Sequence, residues 1–135
     1  MFLFDTDTLS QVLKRAPSPA LRARLAILSP DQQFTTAITV GEMVYGAHRS
    51  PRREWLLRQL EERLWPSLRI LPFARAAAET YGRVRAELEG RGTPLSEPDL
   101  RIAAIALTHA LTVVTGNLRH FARVPGLKAT VQRAS

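Results

Sequence analysis

At 135 residues and 15.1 kDa, with 45% hydrophobic and 23% charged residues, the chain has the balance of a single folded domain spanning 1–135, which excludes a disordered tail protein. It contains no cysteine, so disulfides, zinc–thiolate sites, iron–sulfur clusters and cysteine nucleophiles are excluded together. Nineteen Lys and Arg against 12 Asp and Glu give a net charge of +7, almost all of it arginine because only Lys14 and Lys128 are lysines; this suits a phosphate-bearing partner, and a coding bias toward arginine accounts for the same count.

Phe2-Leu3-Phe4 reads as a buried strand ending at Asp5. The start lacks the basic front and long apolar core of a signal peptide, and no run approaches the roughly 18–20 apolar residues of a membrane span. A cytoplasmic protein with no membrane partner is therefore expected. Asp5-Thr6-Asp7-Thr8 offers several helix caps, and Leu9, Val12 and Leu13 form a helical stripe broken at Pro17-Ser18-Pro19. Leu21, Leu25 and Leu28 mark a second helix, ended by Ser29-Pro30-Asp31. Phe34 to Ile38 is rich in β-branched residues and reads as a second strand, with a helix from Thr39 to about Ala47. Pro51 to Trp65 reads as a helix with Trp55, Leu56, Leu60 and Leu64 inward. Leu68 to Pro72 reads as a third strand. Ala74 to Glu89 reads as an amphipathic helix, with Ala74, Ala77, Ala78, Tyr81, Val84 and Leu88 on one face. Ser96 caps a nearly all-apolar, central helix from Glu97 to Ala110. Leu111 to Thr115 is a buried strand, Gly116 to Phe121 a turn or short helix, and Lys128 to Val131 a last strand. Strands alternating with helices imply an α/β fold with a mostly parallel sheet, covered on both faces and joined by right-handed crossovers.

Most of the 12 acids lie on solvated helix faces beside arginines. A few are placed differently. Asp5 ends the first strand, Glu42 follows the second, Asp99 opens the central helix, and Asn117 follows the strand at Leu111–Thr115. The carboxyl ends of parallel strands form the ligand crevice of an open sheet. Asp99 reaches that crevice only if its helix begins there. Carboxylates gathered at that edge repel each other unless a cation sits between them. Only His48, His109 and His120 are histidines, and none pairs at helical spacing, so an oxygen-bound magnesium or manganese ion is the metal to expect. The same acids also fit helix capping: Thr39-x-x-Glu42 and Ser96-x-x-Asp99 match the capping box, and Asp5 suits an N-cap.

These blocks resemble the PIN-domain nucleases, and within them the VapC-type ribonuclease toxins of toxin–antitoxin pairs. Phe2-Leu3-Phe4-Asp5-Thr6-Asp7-Thr8-Leu9 is similar to the opening of that family. Ala37-Ile38-Thr39-Val40-Gly41-Glu42-Met43-Val44-Tyr45-Gly46 is similar to its second block, and Pro94 to Ala104 to its third. Leu111 to Asn117, with His120-Phe121 and Val124-Pro125-Gly126-Leu127, is similar to its close. The chain departs from the family at two positions. Asn117 stands where a fourth acid is frequent, and Asp7 where asparagine is usual, serving either as a helix cap or as a source of the missing charge.

The resemblance implies a PIN-like α/β/α sandwich and metal-dependent endonucleolytic hydrolysis of RNA phosphodiester bonds. It implies Asp5, Glu42 and Asp99 as ligands of one or two Mg2+ or Mn2+ ions, and Asn117 as a residue that positions a water or a phosphate. Thr6 and Thr115 are expected to orient ligand waters or to cap backbone. Arg49, Arg52, Arg53 and Arg119 are expected to hold the RNA backbone or simply to form a solvated basic surface. His120 is an acid/base candidate or a packing residue. The resemblance further implies a homodimer and a cognate antitoxin whose C-terminal segment blocks the site, with Trp55, Leu56 and Leu60 as its docking surface or as core. The other readings are a PIN nuclease of RNA maturation, a non-catalytic basic RNA-binding domain, and a magnesium-dependent phosphatase built on Asp5-Thr6-Asp7.

Overall fold

The computed structural model describes residues 1–11 and 30–131. The sequence-predicted stripe at Val12 and Leu13, the Pro17–Pro19 break and the helix marked by Leu21, Leu25 and Leu28 lie outside the described residues.

Five parallel strands form one sheet in the order β3-β2-β1-β4-β5. β1 (Phe2–Phe4) is followed by α1 (Thr6–Ser10). A 3-10 turn at Pro30–Gln32 leads into β2 (Gln33–Thr36), which passes directly into α2 (Ala37–His48). α3 (Arg53–Gln59) runs on through a π turn at Leu60–Leu64 and a 3-10 turn at Trp65–Ser67 to β3 (Arg69–Leu71). α4 (Arg75–Gly90) and α5 (Glu97–Thr108) then pair before β4 (Thr112–Val114). The chain closes with α6 (Leu118–Phe121) and β5 (Ala129–Thr130). Among the described residues, no helix is long and apolar enough to cross a membrane.

Alternation along the strands builds two cores, one on each face. Leu3 of β1 and Val113 of β4 are partners in register, and both point into a core completed by Val84 and Leu88 of α4 and by Ile102 and Ile105 of α5. Phe4 and Val114, the next pair, point into the opposite core with Leu9, Met43, Ala47, Leu60 and Leu64. Each fully buried Leu, Ile or Phe contributes about 1.5–3 kcal/mol. The sheet face is thus fixed by residue parity: a one-residue slip would exchange the two cores.

Several boundaries differ from the sequence reading. The second helix starts at Ala37, with Thr36 as its N-cap: the Thr36 hydroxyl accepts from the Thr39 amide at 3.1 Å. Ala37 and Ile38 are therefore helical, and Thr39 lies inside the helix. Trp55 is turned outward at 37% exposure, with the Arg52 guanidinium 4.1 Å above its ring, so the Pro51–Trp65 stripe is inward only at Leu60 and Leu64, with Leu56 half-buried. Ala74 and Ala78 are exposed, and α4 buries only Ala77, Val84 and Leu88, with Tyr81 half-buried. The apolar stripe is narrower than the alanines suggest, because alanine tolerates solvent.

β1 lies between β2 and β4, and the chain crosses from one side of it to the other. This is where the crevice of a parallel sheet opens. α5 leads into β4 through a tight reversal in which Ala110 takes φ 54°, so α5 runs back along the sheet. Its first turn, with Asp99, lies at the carboxyl edge for that reason.

Candidate active site

Asp5 is the first residue past β1 and the N-cap of α1. Its Oδ1 accepts from the Thr8 amide at 2.9 Å, and its Oδ2 accepts from the Thr115 hydroxyl at 2.5 Å. Only 2% of the residue is exposed. Capping therefore occupies one oxygen and the far end of β4 fixes the other, with lone pairs remaining on both. The two sequence readings of Asp5, cap and ligand, do not compete.

Glu42 lies in the second turn of α2. The Thr6 hydroxyl donates to its Oε1 at 2.6 Å. Behind Thr6 the hydroxyls continue, with Thr39 Oγ1 at 3.2 Å and Thr36 Oγ1 3.3 Å beyond that. Thr36 and Thr39 are fully buried. Thr6, next to Asp5 in sequence, thus positions Glu42 directly, and a ladder of threonines anchors it. Neither Thr36 nor Thr39 stands out in the sequence as a site residue. Only the end of a strand meeting the start of its helix would have suggested them.

Thr115 is also fully buried. Besides donating to Asp5, it accepts from the Asn117 amide at 2.8 Å. Asn117 precedes α6 without capping it through its side chain. Its Nδ2 instead pairs with His120 Nδ1. His120 is half-buried and holds the Asn117 amide in place.

Asp99 is half-buried in the first turn of α5, whose cap is the Ser96 hydroxyl accepting from the Asp99 amide at 3.4 Å. Burial pushes the Asp99 carboxyl above its ordinary pKa; the Ser96 side chain opposes this, the Asp7 charge adds to it, and His120 opposes it. Burial likewise raises Asp5, opposed by Thr115 and Thr8 and reinforced by Asp7. The Asp7 charge acts on both carboxyls, and that of His120 on Asp99. Asp7 is not the cap of α1, since Asp5 fills that position. Its Cβ lies 4.0 Å from where a Cβ on Gly116 would stand, at the mouth of the same edge.

The five ion pairs among the described residues all use Glu79, Glu87, Glu89 or Glu97. None of these five reaches Asp5, Asp7, Glu42 or Asp99. Their oxygens are the hard donors that a divalent cation takes. Among the described residues no three Asp, Glu or His side chains converge tightly enough to cage an ion alone. Waters and substrate oxygens would complete the shell, as magnesium normally requires. The donor set fits the group.

The expected arginines divide. Arg49 caps α2 and donates to the Tyr45 hydroxyl at 2.8 Å. Tyr45 lines an open depression of about 550 Å³ with Thr6, Ile38, Gly41, Glu42 and Arg101. Arg52 and Arg53 belong to a different depression, with Trp55 and Arg58. Arg119 is exposed on α6, two residues past Asn117. Arg101, at the Glu42 groove, is the basic residue that the sequence reading passed over, because an arginine at i+4 from Glu97 looks like an ordinary surface pair.

The PIN domain family model matches residues 2–127. The chain is 36% identical over 127 residues to the tRNA(fMet)-specific endonuclease VapC of Salmonella typhimurium, covering 94% of each chain. It is 35% identical over 132 residues to ribonuclease VapC2 of Haemophilus influenzae, again 94% of each. In solved structures, the DNA-bound VapBC complex of Salmonella typhimurium contains a chain that superposes with a TM-score of 0.90 at 34% identity, covering 98% of both. FitAcB of Neisseria gonorrhoeae gives 0.86 at 30% identity and 96% of both. With this match over nearly its whole length, and with acids at the strand ends of a five-stranded parallel sheet, the chain belongs to the PIN-domain family, among the VapC ribonucleases of toxin–antitoxin systems.

Proposed function

We propose that this chain is a divalent-metal-dependent endoribonuclease toxin whose site is Asp5, Glu42, Asp99 and Asn117. The observation that carries the reading is a set of buried and half-buried acids at the carboxyl edge that form no ion pair among the described residues, Asp5 and Glu42 being held by threonines, while Glu79, Glu87, Glu89 and Glu97 pair with arginines on open faces. Asp5, Glu42 and Asp99 would hold Mg2+ or Mn2+, directly or through waters. When bound, the cation supplies Lewis-acid activation of an attacking water and neutralises charge on the phosphoryl oxygens. Thr115 and Thr8 hold Asp5 with both oxygens aligned. Thr6 holds Glu42. Asn117, fixed by His120, offers its amide oxygen to a water or to the leaving side of the phosphate. Asp7 supplies negative charge at the mouth, where the family often carries an acid at the position of Asn117. Arg49, bonded to Tyr45, and the exposed Arg119, two residues past Asn117, would attract the RNA backbone.

The partners are an RNA substrate, a cognate antitoxin and a second copy of the chain, with residues 1–135 acting as one domain in the cytoplasm. The relative from Salmonella typhimurium is named for tRNA cleavage, which makes tRNA the first substrate to test. The test is cleavage of a tRNA and single-stranded RNA panel with Mg2+, Mn2+ or EDTA, by wild type and Asp5→Asn. Metal-dependent cleavage that Asp5→Asn lacks is the expected outcome. RNA binding without cleavage, equal in both proteins and indifferent to EDTA, would reduce the acids to helix caps and make this a binding module.

A further inference from the structure

The groove beside Glu42 has features that the hydrolytic chemistry does not require. One wall is Tyr45, on the same face of α2 as Glu42 and one turn on, with 62% of its surface exposed. Its hydroxyl accepts from Arg49 at 2.8 Å, so a cation sits at the rim. The other wall is Arg101 of α5. Ile38 and Gly41 leave the floor apolar and low.

Arg101 is held in place. Its guanidinium lies 3.3 Å from Glu97, and 5.8 Å from the ring centres of both Phe73 and Tyr81. Glu97 is fixed in turn: the Tyr81 hydroxyl donates to it at 2.6 Å, and Arg85 lies 3.1 Å away. Those contacts hold Glu97 below the ordinary carboxylate pKa, the Tyr81 bond first. Glu97 thus stays charged and keeps Arg101 beside the groove. A guanidinium has five donors in a planar fork, so one carboxylate partner leaves donors for a phosphate. Arg52 and Arg53 have no place in this groove.

We infer that Arg101 and Tyr45 are the two walls of a subsite for an unpaired nucleotide adjoining the scissile bond, Arg101 gripping its phosphate and Tyr45 stacking on its base. This rests on the ribonuclease reading. The occupant follows from continuity with Glu42, from two arginines at one groove, and from an uncovered aromatic ring. Cations with an open ring are what a single strand uses, since its bases are free to stack. A paired helix buries its base faces, so single-stranded segments and loops are the preferred targets.

The test is affinity for a fluorescent single-stranded RNA in EDTA across a salt series, together with KM and kcat for the same RNA with Mg2+. Arg101→Gln is expected to weaken binding roughly tenfold and to reduce the log–log salt slope by about 0.7, the value of one lost phosphate contact. It is expected to raise KM more than it lowers kcat. Arg101→Lys keeps the charge and restores the slope. Tyr45→Ala weakens binding about tenfold with the slope unchanged, and Tyr45→Phe binds like wild type. Arg91→Gln, which does not line the groove, controls for loss of charge alone. Arg101→Gln and Tyr45→Ala binding RNA within twofold of a cleaving wild type would overturn the subsite and leave the nuclease intact. The same two variants losing the antitoxin while keeping RNA would also overturn it, and would assign the groove to a protein segment. A wild type that neither binds nor cleaves RNA would overturn both readings.

Discussion

The glutamates of α4 and of the first turn of α5 lie 2.8–3.3 Å from arginines, on faces open to solvent. The acids at the carboxyl edge of the sheet have no such partner among the described residues. Asp5 is only 2% exposed, Glu42 and Asp99 are half-buried, and threonine hydroxyls hold Asp5 and Glu42 where arginines hold the others. Water already screens the first group, so each pair contributes little. The second group bears an unmet electrostatic cost, and Asp7 adds to it. A hydroxyl orients a carboxylate without neutralising it. That combination suits a site whose counter-charge arrives from outside.

The largest expected effect comes from removing that charge. Asp5→Asn should lose metal-dependent cleavage by more than the roughly 10–100-fold cost of losing a supporting partner. It should also lose the calorimetric signal of Mg2+ binding. Asp99→Asn should behave alike. Full activity in either variant would mean that the two groups of acids do not differ in function.

Next in size is the hydroxyl that holds Asp5. Thr115→Val removes the donor to Asp5 and the acceptor of the Asn117 amide together. Activity or metal affinity should fall about 10–100-fold. Stability should fall by about 1 kcal/mol, because a part-buried N–H and a buried carboxylate oxygen lose a partner. Thr115→Ser should recover most of both. A thermal melt and a cleavage assay on each variant check this.

Asp5 and Asp99 should also respond to pH with the opposite sign to Glu97. The folded pKa values of Asp5 and Asp99 lie above the unfolded ones. Their contribution to stability is complete below about pH 3.9 and is lost as pH rises through the raised value. Glu97 is shifted down, so its contribution is present above its unfolded pKa and is lost as pH falls through the folded one. In EDTA, Asp5→Asn should therefore gain Tm relative to wild type as pH rises toward neutral, and Glu97→Gln should not. Saturating Mg2+ at neutral pH should raise the wild-type Tm and leave that of Asp5→Asn unmoved. Parallel curves for wild type and Asp5→Asn in EDTA would remove the electrostatic argument for a cation.

Much of this arrangement is legible in the sequence, for identifiable reasons. Phe2-Leu3-Phe4 and Leu111 to Thr115 are apolar runs too short for helices, and they are the adjacent central strands β1 and β4. Ser96 caps α5 as its spacing indicates. Ala37 and Ile38, just past Thr36, are misread as strand because the β-branched run around them suits both a strand and the first turn after it. The outward turn of Trp55 depends on Arg52, which periodicity does not see. The threonine ladder is invisible for a stronger reason. Thr6 and Glu42 are 36 residues apart, and Thr115 and Asp5 are 110 apart, so only the register of β1 against β2 and β4 brings them together. Arg101 is hidden because its salt bridge to Glu97 is the commonest helical pattern, while its other side faces a groove.

The smallest expected effect bears most directly on the contrast. Glu87 and Arg91 form an i,i+4 pair at 2.8 Å at the C-terminal end of α4. Glutamate N-terminal to arginine is the favourable orientation, worth roughly 0.3–0.5 kcal/mol in an exposed helix. Glu87→Gln should shift Tm by no more than about 2 °C and leave cleavage, metal dependence and RNA affinity as in wild type. The substitution removes one negative charge, as Asp5→Asn does, so bulk charge cannot separate the two outcomes. Only location can. If Glu87→Gln lowered activity as Asp5→Asn does, the loss would follow net charge, and the carboxyl edge would hold no privileged acids. A silent Glu87→Gln beside an inactive Asp5→Asn would locate the chemistry at the end of β1.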